Sequence, residues 1–154
     1  DGVHYHFVGR QAFAAERDAG ALAEWAEVHR NFYATPKAGI ARAFEEGQDV
    51  LFDIDYQGAE QLQQAYPEQC VSVLVVPPSM EELEERLRGR GTDPEEVVQH
   101  RLKAARGELA QHPVFDYIVV NDDFEFALQA LTSIYDAARH GAHLHRRLVE
   151  RMLG

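Results

Sequence analysis

Three features of the chain predict an α/β fold with a parallel sheet covered by helices. Three short, continuously apolar runs, at 49–55, 71–76 and 115–121, read as strands buried on both faces. Helical patterns alternate with these runs through the second half, the order that builds a parallel sheet. The first run ends in Asp53 and Asp55, and carboxylates at the C-terminal end of such a strand lie where open α/β sheets bind ligands.

With 154 residues the chain is one domain's worth of sequence, long enough for a real core. Hydrophobic residues at 45% and charged residues at 27% match an ordinary soluble globular protein. No apolar run approaches the ~20 residues of a membrane span, and no secretory signal opens the chain. A net charge of −11 argues against a general nucleic-acid surface, which would be basic. It does not exclude phosphate ligands, because the few arginines are clustered. Cys70 is the single cysteine, so no internal disulfide forms; a structural thiol in a reducing cytoplasm is expected. The chain opens on Asp1 with no initiating Met and reads as the middle of a protein.

Residues 3–8 alternate apolar and polar side chains and predict a half-buried strand, with His4 and His6 on one face. Exposed strand histidines account for that pair, since no third metal ligand is near in sequence. A short helix over 11–19 is closed by Gly20 and turns Phe13 inward. An alternating strand over 22–29 puts Leu22, Glu24, Ala26 and Val28 on one face. Glu24 then sits among apolar neighbours and needs a donor, which a ligand with adjacent N–H groups would supply. An edge-strand acid facing water is the alternative.

Residues 31–36 predict a turn, with Thr35 as N-cap and Pro36 as first residue of a helix that Ile40, Ala43 and Phe44 stripe and Gly47 ends. The central run 49–55 and a helix from Gly58 follow. Asp53 and Asp55 point to one side of a regular strand, which suggests a cation between them; a helix cap at a solvated strand end is the alternative. After the strand 71–76, Ser79 caps a helix and Glu82 completes a capping box, with Leu83 and Leu87 inward. Asp93, Pro94 and Glu96 repeat that start signal for a helix lined by Val98, Leu102, Ala105 and Leu109. A last strand, 115–121, precedes a helix striped by Phe124, Leu128, Leu131, Tyr135 and Ala138. The basic, mildly amphipathic tail, 140–154, reads as a surface helix or association element. Three strands make a thin sheet, as though a pairing partner lay elsewhere.

Between the two helices, Arg86-Leu87-Arg88-Gly89-Arg90-Gly91 sets three arginines among glycines. Arginine forks bind phosphate bidentately, and the glycines let such a loop hinge over a ligand. Arginines complementing a helix C-terminus, with Gly89 as stop, are the alternative. Arg90 lies beyond that end and gains little there. Arg101, about two turns into the next helix, could face the same ligand.

Six segments in order and spacing resemble the guanylate kinase family. They are Glu24-Trp25-Ala26-Glu27-Val28-His29, Asn31-Phe32-Tyr33-Ala34-Thr35-Pro36, Asp53-Ile54-Asp55-Tyr56-Gln57-Gly58, Pro77-Pro78-Ser79, Arg86 to Asp93, and Val120-Asn121-Asp122-Asp123. The resemblance reaches from Asp1 to about Arg139. It implies a P-loop nucleoside-monophosphate-kinase-like parallel sheet flanked by helices, with a small mixed α/β GMP-binding subdomain and a helical lid. It places a partial GMP-binding subdomain at 1–35, core at 36–85 and 112–139, the lid at 86–111 and a C-terminal tail at 140–154.

The activity implied is transfer of the γ-phosphoryl group of ATP to GMP, giving ADP and GDP with Mg2+. By resemblance Glu24 would accept from the guanine N1–H and 2-amino group, and Thr35 would bond guanine O6. Tyr5 and Tyr33 would hold the GMP phosphate. Asp53 and Asp55 would organise the Mg2+ and acceptor region, with no direct metal ligand and Asp53 reaching Mg2+ through water. Arg86, Arg90 and Arg101 would neutralise the transferring group, with Arg86 and Arg90 also on the ATP side and Asn121 near adenine. The partners implied are GMP and ATP, with dGMP and a homo-oligomer left open and neither nucleic acid nor membrane.

Ala34 stands where the family usually has glycine, and Phe32 where it often has tyrosine. No G-x-x-x-x-G-K-[ST] occurs, so the family's first strand and P-loop are absent from this chain. The chain is expected to be part of a longer guanylate kinase or a truncated relative, and inactive alone. A phosphoprotein-binding module that has lost catalysis is the other reading, and it predicts erosion of the lid arginines. Their presence favours the enzyme.

Overall fold

The computed structural model describes residues 5–28, 31–89, 91 and 93–154, which form two compact units, one up to Pro67 and one from Glu68. The first unit is a hairpin with helices. Helix α1 (Arg10–Asp18) turns Phe13 inward and stops at Gly20, whose φ of +67° suits a residue without Cβ. Strands β1 (Leu22–Val28) and β2 (Asn31–Pro36) pair antiparallel, with Glu24 opposite Thr35 and Ala26 opposite Tyr33. A register shift between Leu22 and Glu24 brings Ala23 into the core alongside Ala26. Helices α2 (Lys37–Glu45) and α3 (Tyr56–Ala65) contribute Ile40, Ala59 and Leu62. Phe13, Trp25 and Phe32 cluster, the Phe13 and Phe32 centroids 5.0 Å apart.

The second unit is built on two parallel strands, β3 (Val73–Val76) and β4 (Tyr117–Val120), with Val73 opposite Tyr117 and Val76 opposite Val120. Between them run α4 (Met80–Gly89), α5 (Glu95–Leu109) and a 3-10 turn at His112–Val114. Leu87, Val98 and Leu102 join α4 to α5, with Met80 and Leu83 packed against them. The strands are locked at their start by Ser72 and Asp116. One Asp116 carboxylate oxygen accepts from both the Ser72 N–H and hydroxyl at 2.8 Å, and the Asp116 N–H donates to Ser72 Oγ at 3.1 Å. Helices α6 (Phe124–Arg139) and α7 (Ala142–Leu153) close the chain. Among the described residues no helix is long and apolar enough to cross a membrane.

Several local expectations are corrected. Residues 5–9 form no strand, and residues 1–4 lie outside the described ones, so His4 is not placed. Residues 48–55 form no strand, because a strand needs a neighbour and none pairs with them among the described residues; Leu51 is 97% exposed. The segment 31–36 is strand rather than turn, so Thr35 is not a helix cap and Pro36 precedes α2 instead of opening it. Helix α3 starts at Tyr56, two residues before Gly58, with Asp55 as its cap. Asp93 does not cap α5, whose cap position is Pro94; its carboxylate faces Arg101. On α6 the inward face centres on Ala127, while Phe124 is 67% exposed and Leu128 and Tyr135 are exposed. Two strands offer a narrow surface, and a small residue lets the helix approach it most closely.

Candidate functional site

Each unit carries one part of the predicted chemistry. In the first, the hairpin register sets Glu24 across from Thr35, and the Thr35 hydroxyl donates to Glu24 Oε1 at 2.7 Å. Glu24 is 5% exposed, which decides against an edge acid facing water. Burial pushes its carboxyl above the ordinary value; the Thr35 bond opposes the shift, and repulsion from Asp55 adds to it. Among the described residues the Thr35 hydroxyl is its one side-chain donor, and a carboxylate held this way fits a ligand edge with adjacent N–H groups.

Helix α3 backs the Glu24 carboxylate. Asp55 caps the helix by accepting the Gly58 N–H at 3.0 Å, and its other oxygen accepts from Gln57 Nε2 at 3.0 Å. A Cβ at Gly58 would stand 3.1 Å from Glu24 Oε2 and 3.0 Å from Ile54 Cδ1, close enough that the carboxylate would have to shift by a few tenths of an ångström. Gln61, one turn on, accepts the Trp25 N–H at 3.1 Å and donates to the Trp25 carbonyl at 2.8 Å. Tyr5 and Tyr33 meet edge to face at 5.7 Å, both hydroxyl-bearing rings exposed. Asp53 is exposed.

In the second unit Arg86 is held at the C-terminal end of β4. Its Nε donates to Glu82 at 2.6 Å, and its Nη atoms reach the carbonyls of Asn121 at 2.7 Å and Asp122 at 3.4 Å. A cleft of about 260 Å³ beside it is lined by Val75, Val76, Pro77, Leu83, Leu87 and Asn121. Parallel strands open their ligand crevice at this end. Arg88 forks between Glu84 and Glu95, 2.7 Å from the latter, and ties α4 to α5. Arg88, ahead of the Gln99 bond, holds the Glu95 carboxyl down at about 2. Arg101 stands 3.4 Å from Asp93. Arg90 lies outside the described residues.

Glu24, Thr35 and Asp55 thus come together, as do Tyr5 with Tyr33, and Arg86 with Asn121. Sequence reasoning missed Gln61, because a bond between a side chain and a backbone 36 residues away leaves no local spacing to read. Gly58 was legible only as a helix start. No group of three metal-ligating side chains occurs among the described residues.

The chain matches the family model described as guanylate kinase over residues 1–138. A guanylate kinase of Rhizobium etli is 50% identical over 139 residues, 90% of this chain and 63% of that protein. One from Aromatoleum aromaticum is 47% identical over 148 residues, 96% of this chain and 72% of the relative. The crystal structure of guanylate kinase from Anaplasma phagocytophilum superimposes with a TM-score of 0.73 at 33% identity, covering 92% of this chain and 68% of that one. The chain spans less than two thirds of the length of the Rhizobium relatives. The fold is that of the nucleoside monophosphate kinases. Within that class, the chain belongs to the guanylate kinase family.

Proposed function

We propose that the protein takes part in transfer of the γ-phosphoryl group of ATP to GMP, giving ADP and GDP. The buried Glu24 carboxylate beside the Thr35 hydroxyl carries this reading. Guanine presents N1–H and a 2-amino group side by side, and adenine presents no such pair, so a desolvated acceptor rejects adenine by leaving its oxygens unpaired. Thr35 has one hydroxyl hydrogen, now given to Glu24. Once guanine donors satisfy the carboxylate, that hydrogen turns to guanine O6.

Tyr5 and Tyr33 present their hydroxyls to the GMP phosphate. Arg86, anchored to the end of β4 with Asn121, lines the ATP side, and its remaining N–H groups face phosphoryl oxygens. Arg101 exchanges Asp93 for the transferring group, and Arg90 joins it from the lid. On the same reading residues 1–35 are part of a GMP-binding subdomain, 36–85 and 112–139 the core, 86–111 the lid and 140–154 a C-terminal tail.

The residues fit Mg2+ with its waters retained. Asp53 is an exposed hard oxygen donor, whereas Asp55 spends its two oxygens on Gly58 and Gln57. Bound there, Mg2+ neutralises charge on the phosphoryl oxygens. A single cysteine and the absence of a spanning helix among the described residues fit a cytoplasmic setting. The intact arginine set and guanylate kinase relatives support the enzyme over an inactive binding module.

Glu24→Ala should weaken GMP affinity and reduce the preference for GMP over AMP by about a hundredfold or more, with ATP affinity kept. Calorimetric titration with each nucleotide measures this. Unchanged discrimination would remove Glu24 from base recognition.

A further inference from the structure

We propose that Gln61 and Gly58 are positioning residues for the Glu24 carboxylate and thereby set the preference for guanine over hypoxanthine. The role rests on the reading of Glu24 as the guanine acceptor. Trp25 N–H belongs to the peptide that follows Glu24, and both polar groups of Trp25 are taken by the Gln61 amide. The amide thus acts as a one-residue neighbouring strand on the edge of β1 that β2 does not cover. It fixes the plane of the peptide from which Glu24 projects. Gln61 Nε2 also donates to the Gln57 carbonyl at 3.0 Å, so the amide is itself held to the helix.

Gly58 works on the other end of the side chain. It lies three residues before Gln61 on α3, a spacing that keeps both on one helix face. Its missing Cβ spares Glu24 Oε2 a contact at 3.1 Å, while Asp55 holds the Gly58 N–H. The backbone of Glu24 is therefore clamped by Gln61, and its carboxylate rests against Gly58.

Reading two donors needs both oxygens aimed at once. A small rotation keeps the bond to N1–H and loses that to the 2-amino group. IMP carries N1–H without the amine, so disturbed positioning shows as a collapsing GMP-to-IMP affinity ratio. General loosening of the unit would weaken both nucleotides alike and leave the ratio unchanged.

The test measures GMP and IMP affinities by calorimetry on the full chain, with melting temperature recorded alongside. Gln61→Leu and Gly58→Ala should each lower the ratio about tenfold. Gln61→Glu, which keeps the acceptor for Trp25 N–H and sets an oxygen against the Trp25 carbonyl, should lower it comparably and serves where Gln61→Leu fails to fold. Glu24→Ala separates the two levels of the argument. If it abolishes the preference while the Gln61 and Gly58 variants keep the wild-type ratio, the positioning role is overturned and the reading of Glu24 survives. If Glu24→Ala leaves the ratio unchanged, both fall.

Discussion

Thr35 Oγ1 lies 2.7 Å from Glu24 Oε1, a hydroxyl and a carboxylate facing each other at one pair of the hairpin ladder. The bond opposes a burial shift that raises the Glu24 carboxyl. A folded state that holds this proton more tightly than the unfolded chain gains stability fully present below the unfolded pKa. That gain is lost as pH rises through the folded pKa.

Thr35→Val removes the donor and should raise the Glu24 carboxyl further. The variant is therefore expected to be nearly as stable as the parent in mild acid. At neutral pH, where Glu24 must ionise without its donor, it should lose about 1–3 kcal/mol. Urea unfolding at about pH 4 and about pH 8 measures the difference. An equal loss at both values would mean that the hydroxyl does not serve the ionised carboxylate.

Arg88 and Glu95 give the opposite sign. The Glu95 carboxyl is depressed to about 2 by the guanidinium, so its contribution is present above the ordinary carboxylate range and is lost as pH falls toward 2. Acidification should loosen the junction of α4 and α5 first, seen as lower amide protection, relative to the intrinsic exchange rate at the same pH, at Val97 and Val98. Glu95→Gln should flatten that pH dependence. Protection at those amides that falls with acid equally in the variant would refute the link.

Ser72 is buried, and its hydroxyl both donates to and accepts from Asp116. Ser72→Ala should cost about 1 kcal/mol, because Asp116 loses a hydroxyl donor to its carboxylate and the acceptor of its N–H at a buried side-chain position. Chemical denaturation reads the loss. A change within a few tenths of 1 kcal/mol would show that water replaces the hydroxyl.

The apolar runs that announced a parallel sheet correspond to β3 and β4, but the expected burial on both faces is corrected: among the four residues of β4 only Val119 is buried, while Tyr117, Ile118 and Val120 are exposed. The run at 49–55 carries the same signal without forming a ladder, since composition cannot supply a neighbour. Thr35 before Pro36 satisfies the local rule for a helix cap, yet the hairpin register claims Thr35 for Glu24. For Asp55 the capping alternative describes the structure, because the helix begins two residues earlier than its glycine suggested. The part of the site legible in advance was Glu24, an acid at an inward strand position. Gln61 looked like any polar residue on a helix, its partner being set by tertiary pairing alone.

The Ser72–Asp116 lock joins residues 44 apart in sequence. Closing a flexible loop of that length costs on the order of 3 kcal/mol before a rung of the β3–β4 ladder returns anything. The intervening chain holds α4 and α5, which shorten it and pack on each other through Leu87, Val98 and Leu102. Those contacts span shorter separations in sequence than the lock, so the helical pair is expected to form ahead of the sheet. On that order, substitutions in the helical cluster should mainly slow folding, whereas those at Ser72 should mainly speed unfolding.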